Sequence, residues 1–414
     1  MVKYALFELV KSMTMSEKRY FKIYSSKHVI GQSNDYVLLF DFIDKSVDYE
    51  EDELLRQSFV KNLSAEKNYL YNLVLKSLNA FHASFNSKTK IYQLLESIEI
   101  LYHKGLYEQA LKLVKKALKI AHGSELFTQC LVLNEIKTEL LSKQFQYEEA
   151  SLNISGANEV LDTIKNFNTI QEITTNSYSQ QVKMGLSRSN EDSNLLDKFV
   201  NDRKINKPEY TKSNRALMYI NGLNLTYSYF VGNKVETLKY AKLMTDLYES
   251  ESYLIEYSTI GYVSSLYNLV NAYLENDLES NAMDVLTKLE NTKDKFGIPT
   301  SYNISARVFI YSSNIRLGLY LNHDKYEESK LLIESNNGSL EKYKSCVVKP
   351  QLYEYYFLIA KYYIVSGEYK NALSYTNLIL NDSDFKLRDD LLSVVKLMNI
   401  LIQFELNRDF SIEY

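Results

Sequence analysis

The sequence predicts an all-α fold, and three observations carry that expectation. The 414-residue chain holds only 12 Gly and 3 Pro, where average usage would supply about 29 and about 21. These two residues punctuate hairpins and tight turns. Their scarcity argues against a β-sandwich, a barrel, a collagen-like chain or a Pro-rich disordered one, and for long elements with few turns. Apolar residues also recur with the 3.6-residue helical period, while the period-2 alternation of strands is scarce. Finally, a short turn motif returns along the chain, as it does where helix hairpins stack. Hydrophobic residues make up 45% and charged residues 24% of the chain, which allows a substantial core and carries no signature of disorder.

Residues 1–86 are expected to form a helical subdomain or cap, with helices near 3–12, 16–28, 35–46, 50–61 and 64–85. In the last of these, Leu70, Leu73, Val74, Leu78, Phe81 and Phe85 share one stripe. Lys67, Asn72, Lys76 and Asn79 lie opposite, and Ser64 is the expected N-cap. Thr14 to Glu17 and Asp48 to Glu51 have capping-box spacing. The acidic run Glu50, Glu51, Asp52, Glu53 falls in a first turn, where it complements the helix dipole.

From about residue 88 the texture changes. A turn residue is followed two positions later by an aromatic, and three further on by a small residue. Gly105, Tyr107 and Ala110 open the series. Gln146-Tyr147-Glu148-Glu149-Ala150, Asp324-Tyr326-Ser329 and Gly367-Tyr369-Ala372 repeat it. Weaker copies run from Gly232 to Thr237 and from Asp277 to Ala282. The small position thus falls at 110, 150, 237, 282, 329 and 372, with gaps of 40, 87, 45, 47 and 43. The gap of 87 spans about two periods, so a degenerate hairpin is expected near 168–203. Pro208, Pro299 and Pro350 each precede a helical pattern, as first-turn prolines do. Residues 384–406 read as a terminal capping helix, with Lys386, Arg388, Asp389, Lys396 and Asn399 expected on a polar outer face.

These residues resemble the tetratricopeptide (TPR) repeat, in which a helix A with large, small and Tyr positions leads through a short turn into Tyr-x-x-Ala on a helix B. The last repeat is the most similar. There Tyr356, Ala360 and Tyr363 stand on helix A before Gly367, Tyr369 and Ala372, and Tyr273 and Tyr320 hold the helix-A Tyr position in their own repeats. The period of 40 to 47 exceeds the usual length of about 34. The resemblance implies a right-handed α-solenoid of antiparallel helix hairpins over residues 88–414, with the N-terminal helical subdomain ahead of it. It also implies a protein or peptide partner bound on the face lined by A helices. The inward positions would include Tyr102, Tyr229, Tyr267, Asn271, Asn314 and Lys361. The chaperone-tail carboxylate clamp is not carried over, because Lys-x-x-x-Asn occurs nowhere in the chain.

Chemistry is hard to find in the sequence. The five histidines (His28, His82, His103, His122 and His323) form no i,i+4 pair. No phosphate-cradling Gly loop, dinucleotide fingerprint, Cys-x-x-Cys or nucleophile elbow occurs. No catalytic, cofactor or metal residue is therefore expected, and no enzyme. Cys130 and Cys346 read as two small buried side chains of a reducing cytosol. No window reaches 18 uncharged apolar residues, so no membrane span is expected, and neither is a signal peptide.

A net charge of −4 and only nine Arg among 48 cations argue against nucleic acid as a partner. Three functional readings follow. The first is a cytoplasmic scaffold or adaptor that binds a protein or peptide through the array. The second is a transcriptional regulator, with residues 1–86 binding DNA and the array sensing a ligand. Residues 1–90 do carry a net +2, against −6 for the rest. In the third, residues 1–86 cap the array and use Phe40, Phe42, Leu54, Leu55 and Phe59 for self-association, giving a homodimer.

Overall fold

The computed structural model describes residues 4–26, 35–57, 59–83, 86–184, 190–202, 205, 207–292, 302–344, 346–382 and 389–406. His28, Phe85, Pro299, Lys386 and Arg388, singled out above, lie outside them. The described residues are all-helical, with twenty helices and no strand. No described helix is long and apolar enough to cross a membrane. Contacts divide the chain into two compact units, Met1–Ser151 and Leu152–Tyr414.

The first unit begins with α1 (Ala5–Ser12), α2 (Met15–Ser26), α3 (Asp35–Lys45), α4 (Glu51–Leu55) and α5 (Leu63–Phe81). They share a hydrophobic cluster that includes Val10, Phe21, Phe40, Leu70 and Val74. The capping box at α2 forms. The Thr14 N–H donates to Glu17 Oε2 at 2.6 Å, and the Glu17 N–H donates to Thr14 Oγ1 at 3.3 Å. The second expected box does not form, because α4 starts one residue after Glu50 and has no side-chain cap. That helix is also only five residues long. The N-cap of α5 is Asn62, which accepts from the Ala65 N–H, and not Ser64. Phe40 and Leu54 are buried in the local cluster, Phe42 and Phe59 pack against it, and Leu55 is exposed. The apolar material noted for self-association is thus largely spent inside.

The unit continues through α6 (Ser87–His103), α7 (Tyr107–Gly123) and α8 (Phe127–Lys143), packed in sequence, into α9 (Tyr147–Met184). Helix α9 crosses the division at Ser151 and runs unbroken for 38 residues. The degenerate hairpin expected near 168–203 therefore has no turn before 184. The end of α9 leads to α10 (Asn190–Val200), and residues 185–189 lie outside the described set.

The second unit holds α11 (Asn214–Phe230), α12 (Lys234–Ser250), α13 (Ser252–Tyr257), α14 (Thr259–Glu275), α15 (Glu279–Glu290), α16 (Tyr302–Asn322), α17 (Tyr326–Tyr343), α18 (Lys349–Val365), α19 (Tyr369–Leu380) and α20 (Asp389–Glu405). One core cluster runs through α11 to α18 and includes Tyr248, Tyr262, Leu266, Leu286, Ile310 and Tyr355. Pro350 sits in the first turn of α18 as expected. Pro208 does not, because α11 begins only at Asn214. Cys346 is exposed in the link before α18, and only Cys130 is buried.

One turn geometry recurs in both units. Gly105, Gly232 and Gly367 have φ near +72°, at 73°, 71° and 72°, and Glu125, Phe145, Asp277 and Asp324 have φ of 49°, 60°, 58° and 55°. In all seven turns the next residue's N–H donates to the carbonyl five residues back, at 2.8–2.9 Å. This is the helix C-cap that ends a helix through one left-handed residue. Where the turn leads into a B-type helix, Tyr107, Tyr147, Tyr326 and Tyr369 are the first residues of α7, α9, α17 and α19. All six small positions (Ala110, Ala150, Thr237, Ala282, Ser329 and Ala372) are buried. A seventh copy escaped the sequence reading. Glu125, Phe127 and Cys130 have the same spacing, with Cys130 fully buried in the small position.

The terminal helix α20 exposes Lys396 as expected but differs at Asn399. Asn399 faces inward, and its Nδ2 donates to Thr376 Oγ1 at 3.1 Å and Asn377 Oδ1 at 3.2 Å. The exposed side carries Val394, Leu397, Ile400, Leu401 and Phe404. Helical spacing explains the reversal. Leu391, Val395, Asn399 and Ile402 are buried together, so Val394, Leu397, Ile400, Leu401 and Phe404, on the other side of the helix, point away.

Candidate functional site

Six positions were expected to face a partner, and three of them converge in the second unit. Tyr267 and Asn271 stand one turn apart on α14, Asn314 lies on α16, and Glu354 on α18 meets them. Tyr267 stacks on Tyr311 of α16, with ring centroids 4.1 Å apart and planes 18° from parallel. The Tyr311 hydroxyl is held by Arg307 Nη1 at 3.0 Å, with Ser264 Oγ at 3.3 Å. With its ring fixed, the Tyr267 hydroxyl donates across α16 to Glu354 Oε2 at 3.2 Å. Asn271 hydrogen-bonds the same hydroxyl. Burial pushes the Tyr267 phenol well above its ordinary range, the Glu354 charge pushes it further, and the Asn271 hydrogen bond opposes the rise. The phenol thus remains a proton donor.

Beside this network lies an open cleft of about 420 Å³. Asn271, Asn314 and Asn322 supply carboxamides, and Asp277, Glu279 and Glu354 supply carboxylates. Leu274, Ile315, Leu319 and Leu358 form its apolar floor. His323 Nε2 lies 2.9 Å from Glu279 Oε2 at one end. Asn314 is 3% exposed. Its Nδ2 donates to the Gln351 carbonyl of α18 at 3.0 Å. Its Oδ1 is buried and accepts no hydrogen bond among the described residues, and neither does Gln351 Oε1. A buried acceptor without a donor costs about 1–3 kcal/mol.

The other three positions lie elsewhere. Lys361 is two turns along α18 from Glu354 and does not line the cleft. Tyr229 is exposed at the end of α11, edge-on to Phe230. Tyr102 belongs to the first unit, where it donates from α6 to Glu139 of α8. That hydrogen bond, more than burial, pushes the Tyr102 phenol up to about 12. Sequence reasoning missed Glu354, Glu279, Asn322 and His323. The signal for Glu354 was present, since it shares the face of Lys361 seven residues away.

The DNA-binding alternative would rest on a three-helix unit made of α3, α4 and α5. The short α4, which would occupy the middle of a three-helix unit, carries Glu51, Asp52 and Glu53 in its first turn. No family model matches the chain, and no curated protein matches it.

Proposed function

We propose that the chain is a TPR-like, right-handed α-solenoid of antiparallel hairpins with an N-terminal helical subdomain. In this reading it acts in the cytoplasm as a scaffold that binds a protein segment or extended peptide on its A-helix face. The supporting observation is the convergence of Asn271 and Asn314, from two A-type helices, on one cleft closed by a third, whose Glu354 is held by Tyr267. Carboxamides offer both a donor and an acceptor, which suits a peptide backbone whatever its side chains. The stacked Tyr267 and Tyr311 behind the cleft hold Glu354 in place, which lowers the entropy cost of binding there.

Selection of a displayed random peptide library on the intact chain tests this function. Enrichment is expected on the wild type and is expected to be lost on Asn271→Ala. No enrichment, or enrichment indifferent to that substitution, would overturn the reading.

A further inference from the structure

We infer that the outer face of α20 is a dimerisation surface, on which α20 of a second copy of this chain packs antiparallel about a two-fold axis. The inference goes beyond the peptide-binding reading and does not rest on it. One side of α20 is spent on its own chain. Leu391 and Val395 join Tyr353 of α18 and Ile379 of α19 in one cluster, and Ile402 is buried in line with them. Helical periodicity puts Val394, Leu397, Ile400, Leu401 and Phe404 on the opposite side, where they are 45%, 62%, 48%, 63% and 67% exposed. No other described helix exposes as many large apolar side chains within eleven residues. Single exposed leucines are ordinary, whereas a contiguous apolar patch marks an interaction surface.

Three features of this face name a second copy as its occupant. The first is spacing. Val394, Leu397, Leu401 and Phe404 are separated by three, four and three residues, the seam spacing by which two helices pair. The second is self-complementarity, which a two-fold interface demands of a single surface. Turned antiparallel, the seam sets Phe404 of each copy against Val394 of the other, and Leu401 against Leu397. The largest side chain then meets the smallest, and the middle pair is matched. A parallel pair would set Phe404 on Phe404 and Val394 on Val394, crowding one end and leaving a gap at the other. The third is area. The five side chains expose about 500 Å² on one copy, so a pair buries about 1,000 Å², where specific interfaces begin. No charge interrupts the stripe. Lys396 and Glu405 are exposed along its two edges, where the polar rim of an interface belongs.

Sedimentation velocity on the intact chain at micromolar concentration tests the inference. The expected species has twice the 48.3 kDa mass of the chain. Leu401→Lys puts a charge in the middle of the seam, from which interface cores exclude charge. That variant is expected to sediment as a monomer with the helical circular dichroism of the wild type. A wild-type monomer would overturn the inference and leave the face to a different occupant. A dimer that survives Leu401→Lys would also overturn it, because such a dimer is held elsewhere in the chain.

Disulfide trapping reads the direction of pairing and does not depend on the lysine variant. Val394→Cys and Phe404→Cys are made separately in a Cys346→Ser background, which removes the exposed native thiol. Antiparallel pairing is expected to cross-link an equilibrated mixture of the two and neither variant alone. Cross-links in either variant alone, or none in the mixture, would overturn the antiparallel dimer. These outcomes are separate from the peptide library, which reads the α14–α16–α18 cleft.

Discussion

Tyr102 and Tyr267 make the same bond in two regions of the molecule, a phenol donating to a glutamate on another helix, with different consequences. In the region 86–143 the partner, Glu139, is 37 residues away and two helices on, and the pair lies at the surface. In the region 259–365 the partner, Glu354, is 87 residues away, across an intervening helix of the same type. This second arrangement sets a stacked Tyr beside a cleft lined by Asn271, Asn314 and Glu354. Both regions are built on the same left-handed turn. The turn motif therefore recurs in both regions, and the cleft adds to its Asp277 and Glu279 the residues Asn271, Asn314 and Glu354, which lie outside the motif.

The strongest way to break the second region while sparing the first is Gly261→Ala in α14. A Cβ there would lie 2.2 Å from Tyr248 Oη and 2.7 Å from Ser258 Oγ. Tyr248 is fully buried and cannot swing away. A loss of about 3 kcal/mol is expected in chemical unfolding, at the upper end of overpacking costs. Gly123→Ala in α7, with nothing within 4 Å of the new methyl group, is expected to cost nothing.

The paired hydroxyl deletions sharpen the comparison directly. Tyr267→Phe leaves Glu354 without its phenol donor and is expected to cost about 1–3 kcal/mol and to abolish peptide enrichment. Tyr102→Phe is expected to leave both the unfolding midpoint and enrichment unchanged.

A smaller pair concerns the turns. Gly367 has φ of 72° and open space around it, so Gly367→Ala should lose about 1 kcal/mol from backbone strain alone. Phe145 holds the same conformation, with φ of 60°, and is 81% exposed. Phe145→Gly should therefore gain up to about 1 kcal/mol. Thermal melts of the two variants should move in opposite directions.

Much of this backbone is legible from sequence because the motif pairs a turn with a close packing point. Tyr107 or Tyr369 announces a helix start, and Ala110 or Ala372 announces burial. What escaped has specific physical causes. Glu125 occupies a left-handed turn without being a glycine. Cys130 behaves as a small apolar side chain, its thiol pushed up to about 11 by burial. Helix α9 runs through two expected elements as one, and Gly156 within it does not end the helix. On α20 the apolar residues outnumber one face, so pattern alone could not say that Asn399 turns inward to Thr376. The cleft was half visible. Tyr267, Asn271 and Asn314 follow from counting along A helices, but Glu354 enters through a contact 87 residues away, which no local pattern encodes.

Hydrogen–deuterium exchange on the intact chain, with and without a peptide enriched from the library, tests the central claim most directly. Bound peptide is expected to slow exchange in α14, α16 and α18 and to leave α6, α7 and α8 unchanged. Protection confined to α6–α8, or absent from the helices that carry Asn271, Asn314 and Glu354, would contradict it.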